Sequence, residues 1–329
     1  MDLSFFIVAT AALYFVASVV YVYRWRGQVR YQSLSQYLRK SWPVFAPMNC
    51  LLYMATRRQA RKPVVDADYL KNIAVLRDNW QSIRDEALAL QATGAFDAIK
   101  TPGSVGYYDV GFRTFYKRGW SKFYLMWYGT THNSAQRLCP QTLALLKQVP
   151  GIQGAMFSIL PAGSELSLHA DPMASSLRYH LGLCTPNSTD CYINVDGVNC
   201  SWYDGQDFVF DETYPHHAKN NTQASRLILM CDVERPMNSF GRLFNLLYRF
   251  FIKGTLVPNT AEDKRGVFSA LFASLAPLRQ STLKLRSERR QLYKALKITL
   301  NTSLMATLFA LLFAFFSLFE SFLSSWLWL

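Results

Sequence analysis

Cysteine and histidine are sparse in this chain of 329 residues, which contains six cysteines and five histidines. No two cysteines stand in a C-x-x-C pair, so the sequence offers no paired-thiol motif of the kind found in zinc or redox sites. In a reducing cytoplasm we expect the six thiols to be free. Internal repeats and low-complexity tracts are also missing. Half of the residues are hydrophobic, which is enough for one sizeable domain with appendages.

Acidic residues are missing from a long N-terminal stretch, and charge of either sign is missing near both ends of the chain. Leu3 to Tyr23 and Ile298 to Phe319 are uncharged, and no Asp or Glu occurs from Leu3 to Val65. Each uncharged run is long enough to cross a hydrocarbon layer as a helix, which takes about 20 residues. A cleaved signal peptide is disfavoured, because no basic residue precedes the first run and a small-residue cleavage site is missing. We therefore predict N-terminal and C-terminal transmembrane helices.

Basic residues flank the inner ends of both apolar runs. Because the two clusters border the same intervening region, the positive-inside rule places that region in the cytoplasm. Each basic residue near anionic lipid contributes about 1 kcal/mol of attraction, so a membrane surface accounts for the net charge of +13. No nucleic-acid motif accompanies the charge, and nucleic acid is not an expected partner. The clusters are Arg24, Arg26, Arg30, Arg39, Lys40, Arg57, Arg58, Arg61 and Lys62, and Arg279, Lys284, Arg286, Arg289, Arg290, Lys294 and Lys297.

Composition divides the chain into five segments. They are a transmembrane anchor (1–26), a basic membrane-interface segment (27–65), a globular domain (66–238), a basic amphipathic helical region at the membrane surface (239–297) and a C-terminal transmembrane segment (298–329). In the second segment, "SWPVFAPMNCLLYMATRR" is too short and too interrupted by proline to span, so it lies in the interface or packs on the domain. The stretch "GRLFNLLYRFFIK" leaves the same two alternatives open, because its apolar and basic residues fall on opposite sides of a helix.

The sequence pattern of the globular segment predicts one helix followed by a mainly β domain. Tyr69 to Ala92 has helical periodicity. Beyond Gly106 the pattern changes to short β-type runs separated by Gly, Pro, Asn and Asp, such as "KFYLMWYG", "GAMFSILPAG", "SLRYHLGLCTPN", "CYINVDG" and "RLILMCDVERP". Many short strands with regular turn signals predict a sandwich or barrel.

Three sequence features suggest a metal site. In "LSLHADP", His169 and Asp171 are two residues apart, so on an extended strand both side chains point to one face. A second candidate ligand lies in the pair His216-His217, and spacing alone does not decide which of the two faces the same way. Two histidines and one carboxylate on one face of iron leave positions open for a cosubstrate and O₂. Arg226, ten residues past His216, is suited to bind the far carboxylate of a dicarboxylic cosubstrate.

These residues lie in a chain that resembles the aspartyl/asparaginyl β-hydroxylase family of double-stranded β-helix dioxygenases, which depend on Fe(II) and 2-oxoglutarate. Within that family it looks most like the membrane-bound lipid A 2-hydroxylases. The resemblance runs from about Arg24 to Met237, through "VRYQSLSQYL", "NWQSIRDEALAL", "GFRTFYKRGWSKFYLMWYG", "SLRYHLGL", "DGQDFVFDETYPHHAKN" and "RLILMCDVERPM". It implies a mainly β, jelly-roll or cupin-like catalytic domain with flanking helices.

The resemblance also assigns roles to individual residues. It makes His169, Asp171 and His216 the iron ligands, and Arg226 the partner of the distal 2-oxoglutarate carboxylate. Ser158 falls at a hydroxyl donor to that carboxylate. Arg178 and His180 fall where the family lines the cosubstrate pocket, although Arg178 could instead pair with Asp211 or Glu212, and His180 could be a core histidine. Relatives that hydroxylate protein side chains lack the metal-binding carboxylate, so Asp171 implies a complete three-residue site.

The reaction that the resemblance implies is hydroxylation, with O₂, of C2 of a secondary acyl chain of lipid A, a lipopolysaccharide precursor. It would take place at the cytoplasmic face of a bacterial inner membrane. A strip of cations and aromatic residues either grips sugar phosphates and acyl chains or forms a solvated strand face. Its members are Arg113, Lys117, Arg118, Trp120 and Lys122. A hydroxylase of peptide side chains and a non-catalytic membrane scaffold are the alternatives.

Overall fold

The structure, a computed structural model, describes residues 3–98, 100–101, 103–109, 111, 119–275, 282, 284–296, 298–300 and 303. The chain divides into two compact units. One is Val19–Ala273, which holds all the strands. The other comprises Met1–Ser18 and Ser274–Leu329, and in its C-terminal part residues 284–288 and 290–296 are helical. The predicted C-terminal transmembrane segment lies almost wholly outside the described residues.

Ten α-helices are numbered here in chain order. They are α1 (Leu3–Arg24), α2 (Leu34–Lys40), α3 (Ala46–Ala55), α4 (Ala74–Asp78), α5 (Trp80–Ala92), α6 (Ala95–Ala98), α7 (Asn133–Leu138), α8 (Pro140–Leu146), α9 (Ser239–Ile252) and α10 (Val267–Ser274). Short 3₁₀ turns, Pro43–Phe45, Arg58–Ala60, Ala67–Tyr69 and Lys253–Thr255, connect some of them.

Eleven strands in the described part of the chain form two antiparallel sheets. They are β1 (Val64–Val65), β2 (Ser121–Trp127), β3 (Thr130–Thr131), β4 (Ile152–Leu160), β5 (Glu165–His169), β6 (Ser176–Cys184), β7 (Cys191–Val195), β8 (Val198–Ser201), β9 (Asp207–Phe210), β10 (His216–Asn220) and β11 (Arg226–Glu234). The larger sheet has the order β1-β9-β6-β11-β4-β2-β3, and the smaller has the order β5-β10-β7-β8. The prediction of a mainly β, double-stranded β-helix domain with flanking helices is confirmed.

Side chains of the larger sheet alternate between two apolar clusters. Leu227 and Leu229 of β11 pack with helix residues such as Ile83 of α5. Ile228 and Met230 pack instead with residues of the smaller sheet. Because successive side chains on a strand point to opposite faces, Arg226 and Asp232 share the face that meets the smaller sheet. The same alternation puts Arg178 and His180 of β6 on that face, and the candidate site lies between the two sheets.

One described helix is long and apolar enough to cross a membrane by length and composition. It is Phe6–Arg24, with a mean hydropathy of 2.0. Two other helices, α3 and α9, each have one buried side and one exposed side. In α3, Leu52 is buried and Met54 is 63% exposed. In α9, Asn245 is buried and Phe250 is 79% exposed. Each of these helices therefore packs on the domain through one side and presents apolar side chains on the other.

A buried ion-pair cluster ties the residues after α1 to the strands. Asp211 follows β9, and its carboxylate accepts hydrogen bonds from Arg26 at 2.8 Å and from Arg235 at 2.7 and 2.8 Å. The guanidinium of Arg26 lies between the rings of Tyr53 and Tyr214, 3.8 and 3.7 Å from their centroids. Although burial opposes ionisation of Asp211, the two arginines hold the pKa of its carboxyl well below the usual range. Arg26 is thus a structural cation inside the domain.

Asp211→Asn is expected to lower the free energy of unfolding by about 3–5 kcal/mol, because it leaves two buried guanidinium groups without their carboxylate. Chemical denaturation of the purified full chain measures this loss. Asp190→Asn, at an exposed position, is the matched control and should change stability by less than about 0.5 kcal/mol. Equal stability of the two variants would contradict a structural role for this cluster.

Candidate functional site

The two sheet strands that carry the candidate histidines are direct neighbours. His169 ends β5, His216 begins β10, and the two residues are paired across the strands. Their ring centroids are 4.2 Å apart. His216 is buried, whereas the adjacent His217 is half-buried and its ring lies 6.2 Å from the ring of Tyr192. Strand pairing therefore selects His216 as the histidine that faces His169.

Asp171 completes a cluster of three potential metal ligands. It lies two residues beyond the end of β5, and its backbone N–H donates to the carbonyl of Glu212 at 2.8 Å. One ligand atom from each of His169, Asp171 and His216 lies within 4.8 Å of the others. Nε2 of His169 is 3.7 Å from a carboxylate oxygen of Asp171. The three side chains are close enough to share one ion.

Both histidines are held in the tautomer that metal binding requires. Nδ1 of His169 lies 2.9 Å from the carbonyl oxygen of Ser167, and Nδ1 of His216 lies 2.9 Å from that of Tyr214. Since a carbonyl oxygen only accepts, each Nδ1 must carry the proton and donate it. In a neutral ring with this tautomer, Nε2 carries the lone pair that can bind a metal. Burial and the neighbouring His169 ring lower the pKa of His216 to about 3, which keeps this imidazole neutral.

Arg178 lies among three carboxylates. Its guanidinium pairs with Glu212, with Asp232 at 2.9 Å and with Asp171 at 3.3 Å. The structure therefore contains the ion pair between Arg178 and Glu212 that was the alternative to a role in the cosubstrate pocket. Burial opposes ionisation of Asp171, but Arg178 and the two histidines bring the pKa of its carboxyl below the usual value. Burial raises the pKa of Glu212, which has other carboxyl groups beside it.

A second buried cation, Arg226, lies in a different setting. It is 1% exposed and forms no ion pair with any described carboxylate. Its guanidinium lies 4.3 Å from the ring centroid of Trp202, and its Nη2 donates to the hydroxyl of Ser158 at 3.4 Å. Because burial without a carboxylate destabilises the charged form, the pKa of Arg226 falls to about 9. Such a cation is prepared for an anionic ligand.

His180 lies near both arginines, Arg226 and Arg178. Its Nδ1 accepts a hydrogen bond from the indole of Trp202 at 3.3 Å, and its ring is 5.1 Å from that of Phe210. The other nitrogen, Nε2, is buried and has no hydrogen-bond partner among the described residues. Burial, with Arg226 and Arg178 nearby, holds the pKa of His180 well below 6.5. A neutral ring with an open nitrogen is available to a bound ligand.

The residues fit a divalent metal and a dicarboxylate. Two imidazole nitrogens and one carboxylate oxygen form the donor set that suits non-haem Fe(II). Asp171, the carboxylate of this donor set, also pairs with Arg178, whose other two partners are Glu212 and Asp232. The unpaired guanidinium of Arg226, the hydroxyl of Ser158 and the open Nε2 of His180 favour an anion with hydrogen-bonding oxygens.

The predicted cationic strip is only partly within the described residues. Arg113, Lys117 and Arg118 lie outside them. For the other two members the structure corrects the picture of an exposed strip. Trp120 is buried, and Arg226 lies 5.4 Å from its ring centroid. Lys122 is half-buried, and its ammonium group pairs with Asp109. Because this carboxylate already engages its charge, Lys122 is not available to phosphates at the surface.

Sequence reasoning missed three side chains of the site. Trp202 contacts both His180 and Arg226, and the sequence does not predict that it lines the site. Glu212 enters the sequence-based expectations only as an alternative partner of Arg178, and Asp232 does not enter them. A signal for Asp232 exists, because it lies six residues beyond Arg226 on one strand and so shares its face. Trp202 follows β8 in a loop, where no periodicity marks it.

Two histidines, one carboxylate and a buried arginine lie between the two sheets of a β-sandwich, an arrangement that suits a metal ion beside an anionic ligand. Residues 77–236 match the aspartyl/asparaginyl β-hydroxylase family, which is the family that the sequence resembles. An ornithine lipid ester-linked acyl 2-hydroxylase of Rhizobium tropici is 37% identical over 127 residues, which cover 38% of this chain and 45% of that protein.

Two further comparisons describe the range of relatives. The aspartyl/asparaginyl β-hydroxylase of Homo sapiens is 30% identical over 176 residues, which cover 52% of this chain and 22% of that protein. A prolyl-4-hydroxylase structure from Pseudomonas putida has a TM-score of 0.36 at 17% identity, and covers 56% of this chain and 99% of that one. The chain thus spans less than half the length of the two curated relatives named here.

Proposed function

We propose that this chain is an Fe(II)- and 2-oxoglutarate-dependent dioxygenase that hydroxylates C2 of a secondary acyl chain of lipid A. The observation that carries the proposal is a pair of sites between the two sheets. His169, Asp171 and His216 offer a metal three ligands, and Arg226 offers an anion a buried guanidinium with no carboxylate of its own among the described residues. A metal alone would need only the first of these.

The residues divide the work of binding. His169 and His216 would hold the metal through Nε2, with Asp171 as the third ligand. Arg226 and Ser158 would hold the far carboxylate of 2-oxoglutarate. When bound, Fe(II), 2-oxoglutarate and O₂ supply an oxidation that converts a C–H bond to C–OH and releases succinate and CO₂. Trp202 and Phe210 belong to the buried apolar cluster on this side of the larger sheet and lie against Arg226 and His180, where they would limit the access of water.

A membrane lipid is the proposed substrate class. The Rhizobium tropici relative is named for 2-hydroxylation of a lipid acyl chain. Helix α1 has the length and composition of a membrane anchor, and a tether that keeps the domain near a bilayer raises the effective concentration of a lipid substrate. The basic residues that flank α1 support a cytoplasmic active site at the inner membrane, against anionic phospholipid. The predicted segments 27–65 and 239–297 would then lie at the membrane surface.

Mass spectrometry of lipid A from cells with and without the gene tests the substrate. We expect a gain of one oxygen on an acyl chain when the wild-type chain is present, and fragmentation should place that oxygen at C2. The Arg226→Met variant, expressed at the same level, should not produce this gain. Unchanged lipid A together with active decarboxylation of 2-oxoglutarate would contradict lipid A as the substrate while leaving the chemistry in place.

Hydroxylation of peptide side chains is the second candidate function. The similarity to the human aspartyl/asparaginyl β-hydroxylase supports it. The apolar helix α1 and the apolar surface of α9 support a lipid instead. A peptide substrate would be favoured if hydroxylated aspartate or asparagine appeared in a bacterial proteome only when the chain was present, with no change in lipid mass.

A further inference from the structure

A groove rich in arginine lies between the end of α3 and the beginning of α9. It is called the arginine groove here. Its lining residues are Met54, Ala55, Thr56, Arg57, Arg58, Arg61, Met237, Asn238, Ser239 and Arg242. Four of these ten residues are arginines and none is acidic. All four arginines are exposed.

The walls of the arginine groove are joined by backbone hydrogen bonds. Arg57 N–H donates to the carbonyl of Pro236 at 2.8 Å, and Asn238 N–H donates to the carbonyl of Ala55 at 2.9 Å. Thr56 and Met237 form an isolated antiparallel bridge between these bonds. The groove is therefore built into the fold, and its arginines are brought together before any ligand binds.

The electrostatics of the groove favour an anion. Arg61 donates to the carbonyls of Thr56 and Met54 at 2.7 and 2.8 Å, which satisfies the carbonyl end of α3. The side chains of Arg57 and Arg58 have no partner among the described residues. The 14-residue helix α9 begins in the groove after its Asn238 cap, and its N-terminus adds partial positive charge. Guanidinium groups suit the paired oxygens of phosphate.

The groove borders an exposed apolar surface. On α9, Leu243, Leu246 and Phe250 are 59, 63 and 79% exposed. Met54, in the groove itself, is 63% exposed. Leucine and phenylalanine side chains that emerge beside cations are the pattern of a helix at a lipid interface. A soluble phosphate would make no use of this surface, whereas a lipid phosphate would place its acyl chains along it.

Both helices that form the groove also hold the segment after Asp171. The amide of Asn49 in α3 donates to the carbonyl of Pro172 and accepts from the N–H of Ala174, both at 2.9 Å. Asn245 of α9 donates to the carbonyl of Ser175 at 3.0 Å. A lipid bound in the groove would therefore lie against the two helices that position this part of the candidate metal site.

From this arrangement we infer that the arginine groove binds the phosphate group of a lipid in the bilayer. The inference deepens the proposed function, on which it rests for the choice of a lipid, by requiring a phosphate-bearing lipid beside the site. The inference also assigns phosphate recognition to the junction of α3 and α9, and not to the predicted strip that includes Lys122.

Lipid retention by the full chain tests the inference. Native mass spectrometry of the detergent-solubilised protein would compare phosphatidic acid with diacylglycerol, which differ only by the phosphate. We expect wild-type protein to retain phosphatidic acid preferentially. Arg57→Gln/Arg58→Gln should weaken this retention about 30-fold, because each of the two basic residues contributes about 1 kcal/mol at a lipid surface. Arg242→Gln, on the opposite wall, should weaken it several-fold.

The matched control is Arg289→Gln/Arg290→Gln, which removes two adjacent, exposed cations far along the chain from the groove residues. It should retain phosphatidic acid as wild type does. Equal losses in the control and in Arg57→Gln/Arg58→Gln would overturn the site in favour of general surface charge. Unchanged retention in both groove variants would overturn it outright, and displacement by equimolar inorganic phosphate would overturn the assignment to a lipid. Since the measurement needs no iron and no turnover, these outcomes are separate from a failure of the proposed hydroxylation.

Discussion

Asp171→Ala is expected to reduce Fe(II)-dependent decarboxylation of 2-oxoglutarate by about 100-fold or more. The substitution removes the only carboxylate of the three-residue cluster and leaves two imidazoles 4.2 Å apart between their ring centroids. Changes to residues that merely support metal ligands cost about 10–100-fold in metal affinity or activity, and loss of a ligand should cost at least as much. Production of succinate by the purified full chain measures the effect.

The Asp171→Ala variant also tests whether two histidines alone can hold the metal. If the two histidines and water sufficed, Asp171→Ala would keep wild-type activity and the three-ligand assignment would be wrong. Iron content after Fe(II) loading gives an independent readout, and it should fall together with activity. Asp190→Ala, at an exposed position, is the matched control and should bind iron and turn over as wild type does.

Local periodicity explains why part of the site was predictable. Arg178 and His180 are two residues apart, and β6 is a regular strand, so their common face follows from the sequence. The choice between His216 and His217 did not follow, because a histidine pair at the start of a five-residue strand carries no parity of its own. Pairing of His216 with His169 on the neighbouring strand settles which ring faces inward, and strand pairing is a long-range property.

Burial of charge was the hardest feature to predict. Lys122 and Arg26 occur in sequence contexts that are typical of solvated cations, yet Arg26 is buried and Lys122 is half-buried. Each is stabilised by a carboxylate from another part of the sequence, Asp109 for Lys122 and Asp211 for Arg26. Because a buried charge depends on its partner, and the partner depends on the tertiary fold, no local pattern marks such a residue. The same reason hid the carboxylates around Arg178.

Arg226→Met is expected to raise the KM for 2-oxoglutarate by about 100-fold or more, with kcat at saturation changed much less. Losing one partner of a buried charge pair costs about 2–5 kcal/mol of binding. An interaction made equally in the bound and reacting states affects KM and not kcat. Steady-state kinetics over a wide range of 2-oxoglutarate concentrations separates the two constants. A fall in kcat with an unchanged KM would contradict the role assigned to Arg226.

Although Arg226→Met should weaken binding of 2-oxoglutarate, it should not destabilise the ligand-free protein. Arg226 is buried with no carboxylate partner among the described residues, so replacing it with methionine removes a costly desolvated charge and should leave stability equal or higher by about 1 kcal/mol. Added 2-oxoglutarate with Mn²⁺ in place of iron should stabilise wild type and not the variant.

Arg178→Met is the matched comparison. It strips the guanidinium from Asp171, Glu212 and Asp232, and should lose about 3–5 kcal/mol. Thermal unfolding of both variants checks these signs, and a marked destabilisation by Arg226→Met would mean that this guanidinium supports the fold instead of awaiting an anion.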